Sequence, residues 1–396
     1  MLEEMNPWWY SDKWEREDND IKSWEKNEIR WIPNWINNIS LEPFSLNFVI
    51  GPRQVGKTTG LKLLIKKLIE SGYDPKNIFY INCDLFPTLK ELKEAVDYYL
   101  DKVDSGILIL DEVTSLEYWW KIVKGYIDLG RFNTHVIIVS GSSSVKLFKF
   151  YEAFPGRRGK GRKINVLPLS FPDFLEVKGY KKYGYELRKA FSEYLNVGGF
   201  PRSINRDKQF SIDFFLSVDR EITKIGKDFK LAREILYEVA RKAPSALSYH
   251  SIASELRISH VTVREYLGLM EDLFILKIIY LKEGPHVIFR KEKKVMLRDP
   301  FIARSIFSLT GLEAREEILL EWVVQEHLLR KFGEIYYYKN NYEIDCIAGD
   351  LRIEIKKKAK RKHSSKAMLL DKDSIPEFLL NLFSEKNQKV ITRFSF

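Results

Sequence analysis

Residues 51–59 read GPRQVGKTT and follow the apolar run LNFVI at positions 46–50. Gly51, Gly56, Lys57 and Thr58 have the spacing G-x-x-x-x-G-K-[ST] of a phosphate-binding loop between a strand and a helix. A strand that ends at Ile50 and a helix that begins near Lys57 would turn the intervening backbone amides toward an anion. The stretch therefore predicts a nucleotide-binding α/β fold.

Two side chains of this loop have separate expected roles. Lys57 is placed to reach the β and γ phosphates as a mobile point charge, and the Thr58 hydroxyl is placed to ligate magnesium. The alternative, an ordinary glycine turn before a basic helix, does not explain why strand, loop and helix signals agree. The predicted nucleotide-binding residues are Gly51, Pro52, Arg53, Gln54, Val55, Gly56, Lys57, Thr58 and Thr59.

A second strand, which ends in two acidic residues, is predicted at residues 107–112, which read ILILDE. Four apolar residues before two carboxylates fit a buried parallel strand. At its carboxyl end Asp111 can hold magnesium through a water, and Glu112 can orient or deprotonate the water that attacks the γ phosphate. The run HVIIVS at 135–140 predicts another strand. Its Ser140 could touch the γ phosphate or the attacking water, or it could simply cap the strand.

The composition is that of a globular protein large enough for two or three domains. Of the 396 residues, 45% are hydrophobic and 30% are charged. No segment approaches the roughly 18 apolar residues of a membrane span, and the acidic, Trp-rich start does not resemble a secretion signal. Cys83 and Cys346 form neither a disulfide framework nor a zinc site, so a cytoplasmic location is expected. The net charge of +10 favours a polyanionic partner.

Residues 154–163, FPGRRGKGRK, form a glycine-rich basic segment without an acidic residue. Arg157, Arg158 or Arg162 could stabilise charge on the γ phosphate of its own or a neighbouring subunit, a role that contributes about 4–7 kcal/mol. The segment could equally bind nucleic-acid phosphate or be a solvated loop. An arginine that acts on a neighbouring subunit would make a homo-oligomer part of the function. A strand at 165–169 and a helix at 171–178 are expected after it.

From about Phe210 the pattern changes to successive helices, which indicates a domain boundary. Within this part, residues 249–276 carry two helical apolar repeats around a short turn, a helix-turn-helix pattern, and the runs at 275–281 and 287–290 could form a wing. The module could bind DNA or only pack inside the protein. In the DNA-binding version the contacts would be Ser259, His260, Thr262 and Arg264 in the groove, with Lys282 and Arg290 on phosphates.

The last third of the chain carries EID at 343–345 and EIK at 354–356. Two strands joined by a turn at 349–350 would bring Asp345 beside Glu354 and Lys356. Paired carboxylates can ligate magnesium, and the lysine can position the water for phosphodiester hydrolysis. A charged surface hairpin is the alternative. Glu321 or Glu326, on a helix predicted at 316–332, could supply a further metal ligand. The basic tract at 356–362 could contact nucleic acid or be a solvated tail.

With these motifs together, the chain resembles the archaeal AAA-type ATPases that join a phosphate-loop domain, a winged helix and a C-terminal nuclease-like domain of the PD-(D/E)xK superfamily. The resemblance rests on NPWW at 6–9, the loop and acidic strand, VSGSSS at 139–144, PGRRGKGR at 155–162 with LPLSF after it, GGFP at 198–201, and the EID and EIK pairs. A difference is Trp322, which stands where the family usually has Asn.

The resemblance implies ATP and Mg²⁺ bound by Lys57, Thr58 and Asp111, with Glu112 as the hydrolytic residue and Ser140 near the γ phosphate. It also implies a nuclease-like site of Glu321, Asp345, Glu354 and Lys356. The expected architecture is an N-terminal extension (1–40), a P-loop NTPase domain with a parallel sheet and helices on both faces (41–209), a helical winged-helix domain (210–298) and a small α/β nuclease-like domain (299–396).

Three functions are open from the sequence. The first is ATP hydrolysis coupled to DNA binding or remodelling. The second is a nucleotide-dependent switch with slow turnover and protein partners. The third is a metal-dependent DNA nuclease gated by ATP.

Overall fold

The computed structural model describes residues 1–142, 147, 151, 154–356 and 367–384. The chain divides into two compact units, Met1–Leu167 and Pro168–Phe396. The helices after Pro168 belong to the second unit, and the predicted domain change at Phe210 stays a prediction. The predicted division of the second unit at 298/299 stays a prediction. Among the described residues, no helix is both long and apolar enough to cross a membrane.

The first unit is built on a five-stranded parallel sheet in the order β2-β3-β4-β1-β5. Its strands are β1 (Ser45–Ile50), β2 (Ile78–Asn82), β3 (Ile107–Asp111), β4 (Val136–Gly141) and β5 (Lys163–Asn165). Its helices are α1 (Leu2–Met5), α2 (Asn19–Glu25), α3 (Lys57–Glu70), α4 (Leu89–Leu100) and α5 (Trp119–Asp128). The parallel sheet with flanking helices confirms the predicted P-loop NTPase fold.

The three central strands form the core of this unit and position its site. Every residue of β1, β3 and β4 is buried, as expected for apolar runs in the middle of a parallel sheet. The carboxyl ends of adjacent parallel strands meet at one edge, where ligands of such sheets bind. The strand expected at 165–169 lies earlier, at Lys163–Asn165, and shares only Asn165 with the predicted range.

The N-terminal segment covers the outer side of β2. The Asn6 side chain accepts the Tyr80 N–H at 2.7 Å and donates to the Tyr80 carbonyl at 2.9 Å. The indoles of Trp8 and Trp9 both donate to the Ile78 carbonyl, at 3.1 and 2.9 Å. The NPWW stretch therefore satisfies backbone groups that no neighbouring strand reaches.

The second unit combines helices with a six-stranded mixed sheet in the order β11-β10-β9-β8-β6-β7. Its strands are β6 (Leu276–Glu283), β7 (His286–Leu297), β8 (Tyr336–Lys339), β9 (Glu343–Ala348), β10 (Leu351–Ile355) and β11 (Met368–Leu370). Its helices are α6 (Phe171–Lys178), α7 (Gly184–Val197), α8 (Pro201–Ile204), α9 (Phe210–Lys224), α10 (Phe229–Lys242), α11 (Tyr249–Leu256), α12 (His260–Asp272), α13 (Pro300–Thr310), α14 (Glu316–Phe332) and α15 (Ile375–Phe383).

The GGFP stretch anchors α7 to α13. The Gly199 N–H donates to the Asp299 carboxylate at 2.9 Å, while the same side chain caps α13 through the Phe301 N–H at 2.8 Å. The Phe200 ring lies 5.4 Å from the Phe301 ring and is fully buried. This motif is thus explained by packing within the second unit.

The predicted helix pair and hairpin are both present, with one difference in their setting. Arg257 ends α11 in the left-handed conformation, and the Ser259 side chain caps α12. The hairpin β6–β7 continues into the larger sheet, since β6 also pairs in parallel with β8. Its second strand runs to Leu297, well beyond the predicted end at Arg290. The hairpin is therefore part of the sheet that carries the EID and EIK strands.

Candidate nucleotide site

The backbone of the phosphate loop requires glycine at two positions for different reasons. Gly56 precedes α3 with a φ of 93°, a conformation that costs little only in glycine. At Gly51 a Cβ would lie 2.0 Å from the Val166 carbonyl oxygen, so the close neighbour here is protein backbone. The first glycine of the motif is therefore fixed by packing against the segment after β5, in addition to any approach of phosphate.

Lys57 begins α3, and its ammonium folds back over the loop. The side chain is buried and donates to the carbonyls of Gly51 at 3.0 Å and Pro52 at 2.9 Å. The two carbonyls hold the ammonium close to the first turn of α3. The free N–H groups of that turn also favour the binding of an anion. The ammonium is thus held within the loop that is predicted to bind phosphate.

The Thr58 hydroxyl meets the Asp111 carboxylate, as the predicted magnesium site requires. The two oxygens, Oγ1 and Oδ2, lie 2.7 Å apart, and Asp111 is 1% exposed. Strands β3 and β4 run side by side with Leu110 opposite Val139, which places Asp111 next to Ser140. Hydroxyl and carboxylate oxygens are hard ligands of the kind Mg²⁺ prefers. The residues present therefore fit a Mg²⁺ ion between Thr58 and Asp111.

Tyr80 is a member of this site that the sequence did not single out. Its hydroxyl donates to Asp111 Oδ2 at 2.8 Å from the neighbouring strand β2. Burial raises the pKa of Asp111, and nearby Glu112 raises it further. Hydrogen bonds from the hydroxyls of Ser140, Thr58 and Tyr80 lower it again. Tyr80 itself keeps its proton, because burial raises its pKa well above the usual value.

Glu112 and two serines surround the end of β3. Glu112 has a φ of 53°, and its carboxylate accepts a hydrogen bond from the Ser142 hydroxyl at 3.1 Å. The Ser140 hydroxyl is fully buried and donates to Asp111, while its oxygen accepts the Glu112 N–H at 3.3 Å. Ser140 thus links the two acidic residues. Ser143 and Ser144 of the VSGSSS stretch lie outside the described residues.

The basic segment after β4 lies along the first strand. The carbonyls of Arg158 and Arg162 accept the N–H groups of Leu46 and Phe48, at 3.0 and 2.8 Å. Its backbone is therefore part of the folded unit, while its charged side chains reach the surface. The Arg157 guanidinium donates to Asp128 at 2.6 Å, the Arg158 guanidinium lies 4.1 Å from the centre of the Tyr151 ring, and Arg162 is exposed.

The predicted helix-turn-helix contacts lie at the start of α12. Ser259, His260 and Arg264 are exposed, and Thr262 is half-buried. The Ser259 hydroxyl accepts the Thr262 N–H at 3.0 Å and hydrogen-bonds the Thr262 hydroxyl at 2.8 Å. The apolar repeat of the sequence places Val261 on the buried face with Val263 and Tyr266, but Val261 is 41% exposed because it lies at the first turn of this helix. Lys282 of the hairpin packs over the Tyr336 ring, and Arg290 is exposed.

The four residues predicted for the nuclease-like site are only partly brought together. Glu321 of α14 and Asp345 of β9 contact the same ammonium group, that of Lys294 on β7, at 2.9 and 2.7 Å. Glu354 and Lys356 instead pair with each other at 2.8 Å. Within the described residues, no group of three or more His, Cys, Asp or Glu side chains is arranged to hold a metal ion.

Two further residues of α14, Glu326 and Trp322, make contacts outside the predicted metal site. Glu326 accepts hydrogen bonds from Arg298 and Arg330, each at about 3 Å, and is not part of the Lys294 cluster. Trp322 packs into the core, 6.1 Å from the Phe307 ring. Of the basic tract at 356–362, only Lys356 belongs to the described residues.

Comparisons with known proteins identify the first unit more closely. Residues 44–175 match a family model described as an AAA domain, and residues 188–315 match one described as a domain of unknown function. An uncharacterized protein of Methanocaldococcus jannaschii is 28% identical over 339 residues, which are 78% of this chain and 73% of that protein. An uncharacterized protein of Haemophilus influenzae is 25% identical over 249 residues, which are 58% of this chain and 61% of that protein.

Solved structures with a similar arrangement include three archaeal and bacterial proteins. They are the ORC2 protein of Aeropyrum pernix (12% identity, 67% of this chain and 88% of that chain, TM-score 0.40), RuvB of Thermotoga maritima (16%, 68% and 88%, TM-score 0.32) and Cdc6p of Pyrobaculum aerophilum (15%, 74% and 91%, TM-score 0.29).

The site geometry and the matching family model agree for the same stretch of chain. The phosphate loop, the acidic strand and the serine at the end of β4 all lie within residues 44–175. The winged helix and the nuclease-like domain of the resemblance stay predictions. Residues 44–175 therefore match an AAA domain and carry the elements of a P-loop nucleotide site.

Proposed function

We propose that the chain binds ATP with Mg²⁺, hydrolyses it, and couples hydrolysis to the binding or remodelling of DNA. The observation that carries the first part is the contact between the Thr58 hydroxyl and the buried Asp111 carboxylate, directly behind the phosphate loop. When bound there, Mg²⁺ would neutralise charge on the phosphates. No ordinary glycine turn requires a threonine of the following helix to meet an aspartate at the end of another strand.

The remaining residues of the site have complementary roles in this proposal. The Lys57 ammonium exchanges its contacts with the loop carbonyls for contacts with the β and γ phosphates. Glu112 orients and deprotonates the attacking water, and Ser142 holds its carboxylate before the water arrives. Ser140 ties the Asp111 carboxylate to the Glu112 backbone, so that ligand and base keep a fixed separation.

Support for DNA as the partner comes from charge and from the second unit. The net charge is +10, and exposed His260 and Arg264 lie at the start of α12, the second helix of the helix-turn-helix pair. The test is ATP turnover with and without single-stranded, duplex and junction DNA. We expect Mg²⁺-dependent turnover that at least one DNA raises. Slow turnover that none of the three DNA forms changes would favour the nucleotide switch. Failure of the protein to retain ATP would overturn the whole proposal.

DNA affinity is expected to fall steeply with salt. Each neutralised phosphate contributes about 0.9 to the slope of log affinity against log salt on duplex DNA. Replacing both Lys282 and Arg290 with glutamine is expected to reduce that slope by about two, because each would lose one phosphate contact. Fluorescence anisotropy across a salt series measures it. Exposed Lys208, changed to glutamine, is the control, and an unchanged slope in the double variant would exclude the hairpin as a DNA contact.

Replacing both Arg157 and Arg158 with alanine is expected to reduce ATP turnover far more than ATP affinity. An arginine that stabilises the γ phosphate in the transition state contributes at least about 10³-fold. Steady-state ATPase rates and nucleotide titration separate the two quantities. Lys160→Ala, which removes a neighbouring charge paired with Glu42, is the matched control. A loss of DNA affinity with normal turnover would instead assign these arginines to nucleic-acid phosphate.

Replacing Tyr80 with phenylalanine is expected to raise the Mg²⁺ concentration for half-maximal turnover by about fivefold, since the lost hydrogen bond contributes about 1 kcal/mol.

The acid limb of the pH profile of ATP turnover in Tyr80→Phe should also move to higher pH. The Tyr80 hydroxyl lowers the pKa of Asp111, so its loss makes the carboxylate protonate earlier as the pH falls. Tyr99→Phe removes a buried hydroxyl that bonds His135 at 2.9 Å and serves as control. Identical Mg²⁺ and pH dependence in wild type and Tyr80→Phe would remove Tyr80 from this role.

A further inference from the structure

Lys294 lies among the acidic residues of the predicted nuclease-like site. Its side chain is 3% exposed, although it comes from the charged run RKEKK at 290–294. The ammonium contacts three carboxylates, those of Glu321 at 2.9 Å, Glu343 at 3.1 Å and Asp345 at 2.7 Å. These come from α14 and β9, so one cation joins a helix and two strands of the second unit.

The carboxylates of this cluster are satisfied by protein donors as well as by Lys294. The Gln325 amide donates to Glu321 Oε1 at 3.0 Å and to the Asp345 carbonyl at 3.1 Å. The second oxygen of the Asp345 carboxylate accepts the Ile355 N–H at 2.8 Å. Glu343 is 41% exposed, but Lys294, Glu321 and Asp345 are buried, and buried charges are tolerated only when they are paired and hydrogen-bonded in this way.

The distances at this site are those of an ammonium held by hydrogen bonds. Mg²⁺ takes oxygen ligands at about 2.0–2.1 Å, and Ca²⁺ at about 2.3–2.6 Å. The three oxygens around Lys294 Nζ lie at 2.7–3.1 Å, which are hydrogen-bond lengths. The nitrogen occupies the position that a cation shared by these carboxylates would need.

The charge state agrees with this arrangement. Burial lowers the pKa of Lys294, but the nearby Glu321 and Asp345 carboxylates outweigh it and raise the pKa well above its usual value. Burial and nearby Asp345 raise the pKa of Glu321, and the Lys294 ammonium lowers it. Lys294 therefore keeps its positive charge at neutral pH.

We propose that the Lys294 ammonium takes the place of a divalent cation at this site, so that the cluster is an internal ion-pair lock and not the metal centre of a nuclease. The lock fixes α14 to β7 and β9, elements that pack against one another. Glu354 and Lys356 pair beside it without joining it. The inference concerns the second unit alone and is independent of ATP hydrolysis.

The first test counts bound Mn²⁺ in the absence of nucleotide, by electron paramagnetic resonance of the full chain and of Asp345→Asn. We expect the same number of bound Mn²⁺ ions in both proteins, because Asp345 holds an ammonium and no metal. The loss of one Mn²⁺ equivalent in the variant would overturn the proposal. So would Mg²⁺- or Mn²⁺-dependent nicking of plasmid DNA by the wild type that Asp345→Ala abolishes.

The second test removes the internal cation. Lys294→Met keeps the length of the side chain without its charge, and we expect a lower melting temperature together with a newly acquired Mn²⁺ ion that partly restores it. Lys293→Met is the matched control, since this neighbouring buried lysine lies over the Tyr249 ring at 4.4 Å. It should lose stability without responding to Mn²⁺. A folded Lys294→Met that takes up no Mn²⁺ would overturn the proposal, and if that variant does not fold, the Mn²⁺ count of the wild type and Asp345→Asn decides.

Discussion

Glu112→Gln is expected to bind ATP normally and to hydrolyse it about 10²–10⁴-fold more slowly. The amide has the shape of the carboxylate and can still accept the hydrogen bond from Ser142, but it cannot take a proton from the attacking water. Lys57 and Thr58, which are expected to hold the nucleotide and its metal, are unchanged. Single-turnover hydrolysis and equilibrium ATP binding measure the two effects separately.

The control for this variant is Glu117→Gln, the same chemical change at an exposed position of the loop after β3. It should leave both binding and hydrolysis at wild-type values. Equal hydrolysis rates in Glu112→Gln and wild type would remove Glu112 from its assigned role and leave water activation to another group.

Lys57→Ala is expected to weaken ATP binding by at least about 100-fold. A hydrogen bond from a charged group contributes about 1.5–3 kcal/mol, and the ammonium is expected to reach two phosphates. Because the side chain also bonds the carbonyls of Gly51 and Pro52, its loss acts on the nucleotide-free loop as well. Isothermal titration calorimetry measures the affinity, and the melting temperature reports any change in the loop.

The matched control is Lys66→Ala, which removes a lysine of the same helix that pairs with Glu15 and Glu70 near the surface. It should bind ATP as the wild type does. Wild-type affinity in a folded Lys57→Ala protein would contradict a phosphate site in this loop.

The nucleotide site could be predicted from the sequence where its signals are local. Residues 46–59 and 107–112 each combine a buried strand with polar residues after it, and the fold places them together because parallel strands of one sheet end at one edge. Tyr80 and Ser142 could not be found in this way. Each is an ordinary strand or loop residue in the sequence, and its role depends on a partner in another strand, Asp111 or Glu112.

The buried position of Lys294 could not be predicted from its local sequence. A run of charged residues normally indicates a solvated surface, and the sequence gives no sign that this lysine is buried. Its partners Glu321 and Asp345 are 27 and 51 residues further along the chain. Only the packing of α14 on the sheet brings them within hydrogen-bond distance. The spacing of the EID and EIK motifs therefore predicted the hairpin, but it could not predict which cation the carboxylates hold.

The cover that Asn6, Trp8 and Trp9 place on β2 restricts how this protein can associate. An outer strand with free backbone groups is a template onto which another polypeptide can add. Here the carbonyls of Ile78 and Tyr80 are already taken by the chain's own side chains. A second molecule would have to displace residues 1–9 before it could add a strand to this edge. The N-terminal segment therefore blocks edge-to-edge association through β2.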